Sequence, residues 1–382
     1  MFTLQCPIED TSAQLSDQPR WFVRHPKLTV FLTVFFFILF LVAIDLILGQ
    51  LFVKKIPYIR NSFYHHGLAT DWSGMLTFGA YIKPFYSNNL ALVDRANRIV
   101  KPTDKKYRIL FVGDSFTEGV GMAFDDTFVG LISKKIDQSK FEILNASVIS
   151  YSPKLYYLKV KYLLHNVGLR FDELVVCVDI SDIQDEIVYE SFEPSDSFFG
   201  RLVDQLLFFA RNNSMIYREI TKIQDRLNSR PIGSWQDKLS LGFQGLSQRD
   251  DFDTQRPKWT YEEEIWRNWG EKGFRLATDN MDKLLKLCRA LGVKMTIAVY
   301  PWPSEFLNKN FDSRNVKLWK LYCEKNGINF INLYDSFDWT DKPESIITKY
   351  YIPNDMHFNE NGHKLLASAL LKNLADIYKP QH

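Results

Sequence analysis

Short apolar runs recur through the chain at Arg108–Val112, Phe141–Val148, Glu173–Ile180, Val293–Tyr300 and Ile328–Leu333. Between them lie "DDTFVGLISKKID", "SPKLYYLKVKYLLHNVG", "NMDKLLKLCRALG" and "NVKLWKLYCEKNG", whose apolar residues return every three or four positions, as on one face of a helix. Strands alternating with amphipathic helices predict a parallel sheet covered on both faces. Gly168, Gly292 and Gly327 each close a helical stretch just before a strand, a place suited to a left-handed glycine cap. The expected fold class is α/β: a three-layer α/β/α sandwich around a five-stranded parallel sheet. In such sheets ligands bind outside the carboxyl ends of the strands.

Three stretches break this rhythm. Residues 28–53, "LTVFLTVFFFILFLVAIDLILGQLFV", form one long apolar run with a single charge, Asp45. About 20 apolar residues cross the hydrocarbon core, so this run predicts a retained transmembrane anchor after an N-terminal tail, 1–27. Arg20, Arg24 and Lys27 precede it and Lys54, Lys55 and Arg60 follow, so the flanking charges tie. The short tail favours tail inside and main domain outside, a single-pass protein of the inner (cell) membrane facing the extracytoplasmic or periplasmic side. Asp45 sits near an interface or faces a partner helix. Residues 54–106 are aromatic and without a strong period, and are expected to be a linker or accessory segment. The main domain then runs over 107–382, interrupted at about 189–269 by a polar, helix-bearing insertion that overhangs the ligand edge as a lid or partner surface, or simply packs on the domain. Trp259, Trp266 and Trp269 lie in it at near-helical spacing and are expected in the core.

Composition narrows the classes. The 382 residues carry 47 basic and 45 acidic side chains, a net charge of +2, with no clustered basic face for nucleic acid. Cys6, Cys177, Cys288 and Cys323 lack metal-type spacing and read as buried free thiols. His65, His66 and His165 show no ligand spacing with acids or cysteines, so no metal and no cofactor is expected. Asp179, Asp182, Asp185 and Glu186 read as a polar strand end rather than a metal cluster, and Asp114 as a turn residue.

Candidate chemistry lies at the two ends of the main domain. In "RILFVGDSFTEGVG" an apolar run stops at Gly113-Asp114-Ser115, which places Ser115 at the carboxyl end of a strand. Serine also caps helices commonly, so the stretch alone has two readings. A serine hydroxyl needs an adjacent base that is itself oriented by a third group. In "YYIPNDMHFNENGHKLLASALL" one loop offers both, His357 as base and Asp355 as its orienting carboxylate. His363, one turn past Asn359, reads as structural or surface.

These two blocks resemble those of the SGNH/GDSL hydrolase superfamily, especially its membrane-anchored bacterial members. "GDSFTEGVG" is similar to the first block and "DMHFNENGHKLLA" to the last, with Asn359 and Gly362 as supporting positions; "YSNNLALVDR" is similar to a segment that anchored members carry upstream. The resemblance covers about 90–380 without the insertion and implies an SGNH, flavodoxin-like sandwich with Ser115, His357 and Asp355 as its triad. In "LNASVISYSP" the position of the second block's oxyanion glycine is Ser150, which keeps a backbone N–H. In "VDISDIQDE" Ser181 stands where the third block has asparagine, followed by Asp182. Ser150, Ser181 and Asp182 are therefore the expected oxyanion and substrate-binding positions; one lost donor costs about 3–4 kcal/mol in the transition state. The Asp-x-His spacing is similar to that of SGNH-like proteins of polysaccharide acetylation.

The leading expectation is a membrane-anchored serine esterase acting on O-acyl groups of cell-surface carbohydrate or on small lipidic esters. An O-acyltransferase that modifies a glycan with a membrane acyltransferase partner shares the nucleophile and changes the acceptor. A non-catalytic scaffold is the third.

Overall fold

A computed structural model describes residues 21–227 and 256–378. The five anticipated strands are there: β6 (Tyr107–Gly113), β7 (Phe141–Asn145), β8 (Glu173–Val178), β9 (Lys294–Val299) and β10 (Asn329–Asn332). All five are parallel, in spatial order β7-β6-β8-β9-β10. β6 and β8 are buried almost end to end, which is why they read as unbroken apolar runs rather than alternating ones. From β6 the chain goes to β7 on one side and then crosses to β8 on the other. At such a switch point a crevice opens between the carboxyl ends, here those of β6 and β8.

Helices cover both faces. Pro153–Tyr162, Asp182–Tyr189 and Glu271–Ala290 pack together on one, joined by Arg314–Asn326 through Phe274 against Trp319 at 5.2 Å. Phe128–Lys135 and the last helix, Glu360–Tyr378, pair on the other. Gly168, Gly292 and Gly327 all have positive φ, 73°, 69° and 61°, as expected of left-handed caps. Cys177, Cys288 and Cys323 are buried free thiols; Cys6 lies outside the described residues.

Residues 54–106 differ from the expected loop. β1 (Tyr58–Asn61) and β2 (His65–Leu68) form an antiparallel hairpin. β3 (Ser73–Phe78), β4 (Tyr81–Ser87) and β5 (Val93–Asp94) extend the parallel sheet through an antiparallel β5–β7 pairing, to eight strands. The segment "YSNNLALVDR" is the β4–β5 turn. Its Asn88 side chain accepts from the N–H groups of Leu90 and Leu92 and donates to Asp94 at 2.9 Å. Half-exposed strands containing Gly74 and Pro84 give a weak alternation, which is why the sequence pattern passes over them.

The apolar run is one 27-residue helix, Pro26–Phe52, long and apolar enough to cross a membrane. The described part of the insertion includes a pair of helices, Phe198–Asn213 and Met215–Leu227, packed on the end of that helix and, for the first of them, on β1. Their joint is specific. The Ile216 N–H donates to Asp45 Oδ1 at 3.0 Å, Gln50 donates to Asn213 Oδ1 at 2.6 Å, and the Ile56 N–H donates to Asn212 Oδ1 at 2.7 Å. Gly49 lies so close to the Asn213 carbonyl that a Cβ would fall 1.7 Å from its oxygen. Asp45 thus faces a partner helix, one of its own chain. Residues 228–255 of the insertion lie outside the described residues. Trp259 is fully buried, donating to the Ile180 carbonyl at 3.0 Å, and Trp266 packs beside it.

Lys159 is fully buried in the helix Pro153–Tyr162, with its ammonium 4.3 Å from the Tyr64 ring centre and no hydrogen-bond acceptor among the described residues. Burial lowers its pKa to about 7. Free lysine titrates near 10.4, so between pH ~7 and ~10 the unfolded chain binds the extra proton and stability rises with pH. Lys159→Met is expected to stabilise the protein at pH 7 by about 2 kcal/mol, the cation–π contact offsetting part of the burial penalty. It should also flatten the rise between pH 7 and 10. Urea midpoints at pH 7 and 9.5 check this; a variant with the same pH difference as the parent would contradict it.

Candidate active site

β6 ends at Gly113, where a Cβ would sit 2.3 Å from Thr117 Oγ1 and 3.0 Å from the Cys177 carbonyl, so only glycine lets the strand end lie this close to β8. The next residue, Asp114, caps the one-turn helix Ser115–Glu118 by accepting from the Phe116 N–H at 3.0 Å. The cap is therefore Asp114, and Ser115 is the first helical residue with its hydroxyl turned to other partners. Its backbone N–H donates to no protein acceptor among the described residues.

Some 240 residues later, the loop before the last helix brings its side chains to that turn. Ser115 Oγ lies 2.8 Å from His357 Nε2, and His357 Nδ1 lies 2.6 Å from Asp355 Oδ1. The same Asp355 oxygen accepts the His357 backbone N–H at 2.8 Å. Nδ1 therefore carries the imidazole proton toward Asp355, leaving the Nε2 lone pair for the Ser115 proton. Phe116 packs on the imidazole at 4.7 Å between centroids and Phe78, at the end of β3, meets it edge-on at 5.3 Å. Asn359 pins the loop: its amide donates to the Tyr351 carbonyl at 2.9 Å while its oxygen caps the last helix through the Asn361 and Gly362 N–H groups. His363 is buried, with Nδ1 accepting from the Phe128 N–H at 3.1 Å. Burial, and secondarily the nearby His357, lowers its pKa to about 3, so it is a neutral structural acceptor.

Beneath the serine, Asp114, Asp179 and Asp182 place carboxylate oxygens within 4.8 Å of one another, all buried. Asp179 takes three donors: Trp302 Nε1 at 2.6 Å, and the Ser181 hydroxyl and N–H at 2.5 and 3.0 Å. Burial raises its pKa, and these donors pull the other way. Burial, and secondarily the neighbouring acids, pushes the pKa values of Asp114 and Asp182 well above the usual carboxylate range. Asp114 Oδ1 accepts from the Phe116 N–H and from the Tyr300 hydroxyl, and its Oδ2 accepts from the Ser115 hydroxyl at 3.1 Å. Each of the three acids accepts at least one donor, and Asp182 Oδ1 has no hydrogen-bond partner among the described residues.

The expected oxyanion residues fare differently from one another. Ser181 is buried with its single hydroxyl proton committed to Asp179, which removes that hydroxyl as a donor to substrate. Asp182 is fully buried, its Oδ2 accepting from the Tyr156 hydroxyl and the Asp179 N–H, so it ties down the end of β8. Ser150 has φ 56°, the left-handed conformation that glycine adopts freely. The backbone shape of the expected glycine is kept at a strain cost of about 1–2 kcal/mol. Neighbours hold it there: Glu118 accepts from the Ile149 N–H at 2.7 Å and from the Tyr58 hydroxyl at 2.5 Å, and the Tyr189 hydroxyl donates to the Ser150 carbonyl at 2.9 Å. Burial raises Glu118 to about 8. His66 reaches the same loop through Nε2, 2.8 Å from the Ile149 carbonyl, and its other ring nitrogen faces His65.

Sequence reasoning missed Phe78, Glu118 and the pairings of Asp114. Glu118 had a signal, being an acid inside the "GDSFTEG" block; Phe78 had none, because β3 was unrecognised.

The fold is a flavodoxin-like α/β/α sandwich, and Ser115, His357 and Asp355 are hydrogen-bonded in a row at the carboxyl edge of its sheet. No family model matches the chain, and no curated protein matches it. Solved structures do. A member of the lipolytic G-D-S-L family from Veillonella parvula is 13% identical over 70% of this chain and 97% of its own, with a TM-score of 0.37. A psychrotrophic esterase from a Pseudoalteromonas species is 13% identical over 72% and 99%, TM-score 0.35. An acetylxylan esterase from Geobacillus stearothermophilus is 11% identical over 72% and 96%, TM-score 0.37.

Proposed function

We propose that the protein is a membrane-anchored serine esterase. Ser115 attacks an ester carbonyl, His357 takes its proton and returns it to the leaving alcohol, and Asp355 orients the imidazole and stabilises the imidazolium. Water, deprotonated by the same histidine, then releases the acid from the acyl-enzyme. The observation that carries this reading is the unbroken chain from Ser115 Oγ to His357 to Asp355, at 2.8 and 2.6 Å. The Ser115 N–H and the backbone around Ser150 are the oxyanion donors in this scheme, and Phe78 and Phe116 exclude water around the imidazole. The substrates are O-acyl groups on cell-surface carbohydrate or small lipidic esters, reached from the extracytoplasmic side of the cell membrane with Pro26–Phe52 as the single span.

Transfer to a glycan hydroxyl would use the same acyl-enzyme with a different acceptor. The Asp45 carboxylate, the one charge in the apolar run 28–53, is engaged by the chain's own Ile216, which weakens the case for it as the contact to a membrane acyl donor. The test uses the full chain in detergent with a fluorophosphonate probe and a panel of short-chain aryl esters, with and without an oligosaccharide acceptor. The expected result is covalent labelling at Ser115 and release of free acid whether or not acceptor is present. Acyl-sugar as the main product would replace hydrolysis by transfer. Absence of both labelling and turnover would leave a scaffold.

A further inference from the structure

The helix pair Phe198–Asn213 and Met215–Leu227 is built to face something apolar. Leu202, Leu206 and Phe209 on the first helix are 47%, 58% and 53% exposed; Ile216, Ile220 and Ile223 on the second are 58%, 49% and 51% exposed. Their spacing of three and four puts each set on one face of its helix. Phe198 and Phe199 continue the first stripe and are more exposed still. Soluble proteins seldom leave a contiguous apolar surface of this kind in water.

What covers it follows from where the pair is fixed. Its turn is bonded to Asp45 and Gln50 and packed on Gly49, all in the last two turns of the apolar helix. A 27-residue helix is about 40 Å long, and the hydrocarbon core takes about 30 Å of it. With Lys27 marking the far boundary, about 20 helical residues carry the core to about Ile47, so Leu48–Phe52 emerge at headgroup depth and Asp45 lies within one turn of it. The polar groups of the joint (Asp45, Gln50, Asn212, Asn213) suit this depth, and Lys54 and Lys55 directly beyond it suit the phosphate layer. An amphipathic helix fixed at headgroup depth with an uncovered apolar face lies in the bilayer interface.

We infer that residues 198–227 form an in-plane membrane-binding hairpin whose apolar face seats in the lipid interface beside the span and fixes the domain's orientation over the bilayer. The inference rests on the proposed membrane span. The ligand is the bilayer itself, not a second copy of the chain and not a separate protein.

The test separates the two readings. The full chain, with Cys6→Ser to remove the thiol of the tail, is reconstituted into phosphatidylcholine–phosphatidylglycerol vesicles. It carries a single environment-sensitive fluorophore on Leu206→Cys, Ile220→Cys or, as the water-facing control, Lys320→Cys. An alkaline carbonate wash comes first. Retention supports the span, whereas release overturns the span and the hairpin with it. In retained protein, probes at 206 and 220 are expected to be quenched most by lipid spin-labelled near the headgroup, and by aqueous iodide at least about threefold less than the control. Iodide quenching equal to the control overturns the hairpin alone. Protection from both quenchers also overturns it and means that protein covers the face; strongest quenching by labels at the chain ends would mean insertion across the core and overturns the in-plane placement.

Discussion

Ser115→Ala is expected to lower ester turnover about 10⁶-fold in kcat, as loss of the nucleophile does where a serine and its base act as one unit. The hydroxyl meets His357 Nε2 at 2.8 Å, two residues past the end of β6. Folding should be almost untouched, because the helix cap belongs to Asp114 and survives the change. KM should hold, since the missing oxygen acts in bond formation and contributes little to ground-state binding. The double variant Ser115→Ala/His357→Ala should be no slower than the single one, because a base without a nucleophile has nothing to deprotonate. Single-turnover assays on a chromogenic acetate ester read all of this. A loss below about 100-fold, or additive losses, would remove Ser115 from the nucleophile's role.

The second large effect concerns Asp355. Asp355→Ala is expected to cost about 10⁴-fold in kcat, through loss of both the imidazole's orientation and the charge facing the imidazolium. Asp355→Asn should fall between the parent and the alanine variant in kcat. The reason is local. One carboxylate oxygen accepts both the His357 backbone N–H and Nδ1–H, at 2.8 and 2.6 Å. An amide keeps its oxygen where two donors converge, so the useful tautomer persists and only the charge is lost. Equal kcat for the asparagine and alanine variants would contradict that account.

Both effects could be anticipated from the sequence, and the reasons differ from those that hid other parts. The parallel strands were legible because burial on both faces turns β6 and β8 into plain apolar runs. The serine and histidine blocks were legible because each is local: three residues set the turn, and one loop supplies base and acid. The antiparallel extension was not, because β3 and β4 are half-exposed and carry Gly74 and Pro84. Ser181 was misjudged for a different reason. Its identity suggested a donor to substrate, but its proton is already used by Asp179 two residues earlier, a matter of side-chain rotation that spacing does not encode. The partner of Asp45 lies 171 residues away at Ile216, beyond the reach of any local pattern. The left-handed backbone at Ser150 is the opposite case: the residue changed while the shape expected of the glycine stayed.

Only residues 53–57 separate the apolar helix from β1. Fully extended, six peptide steps span about 20 Å, and the bond from the Ile56 N–H to Asn212 takes up the slack. On the proposed anchor, the connection works as a bracket and not as a leash. The crevice at Ser115 then stays at one height and one tilt, so an ester is processed only if it is presented at that height. Lengthening the substrate's own reach would widen what is hydrolysed, whereas inserting residues between Val53 and Tyr58 would leave the hydrogen-bonded joint holding the domain where it is.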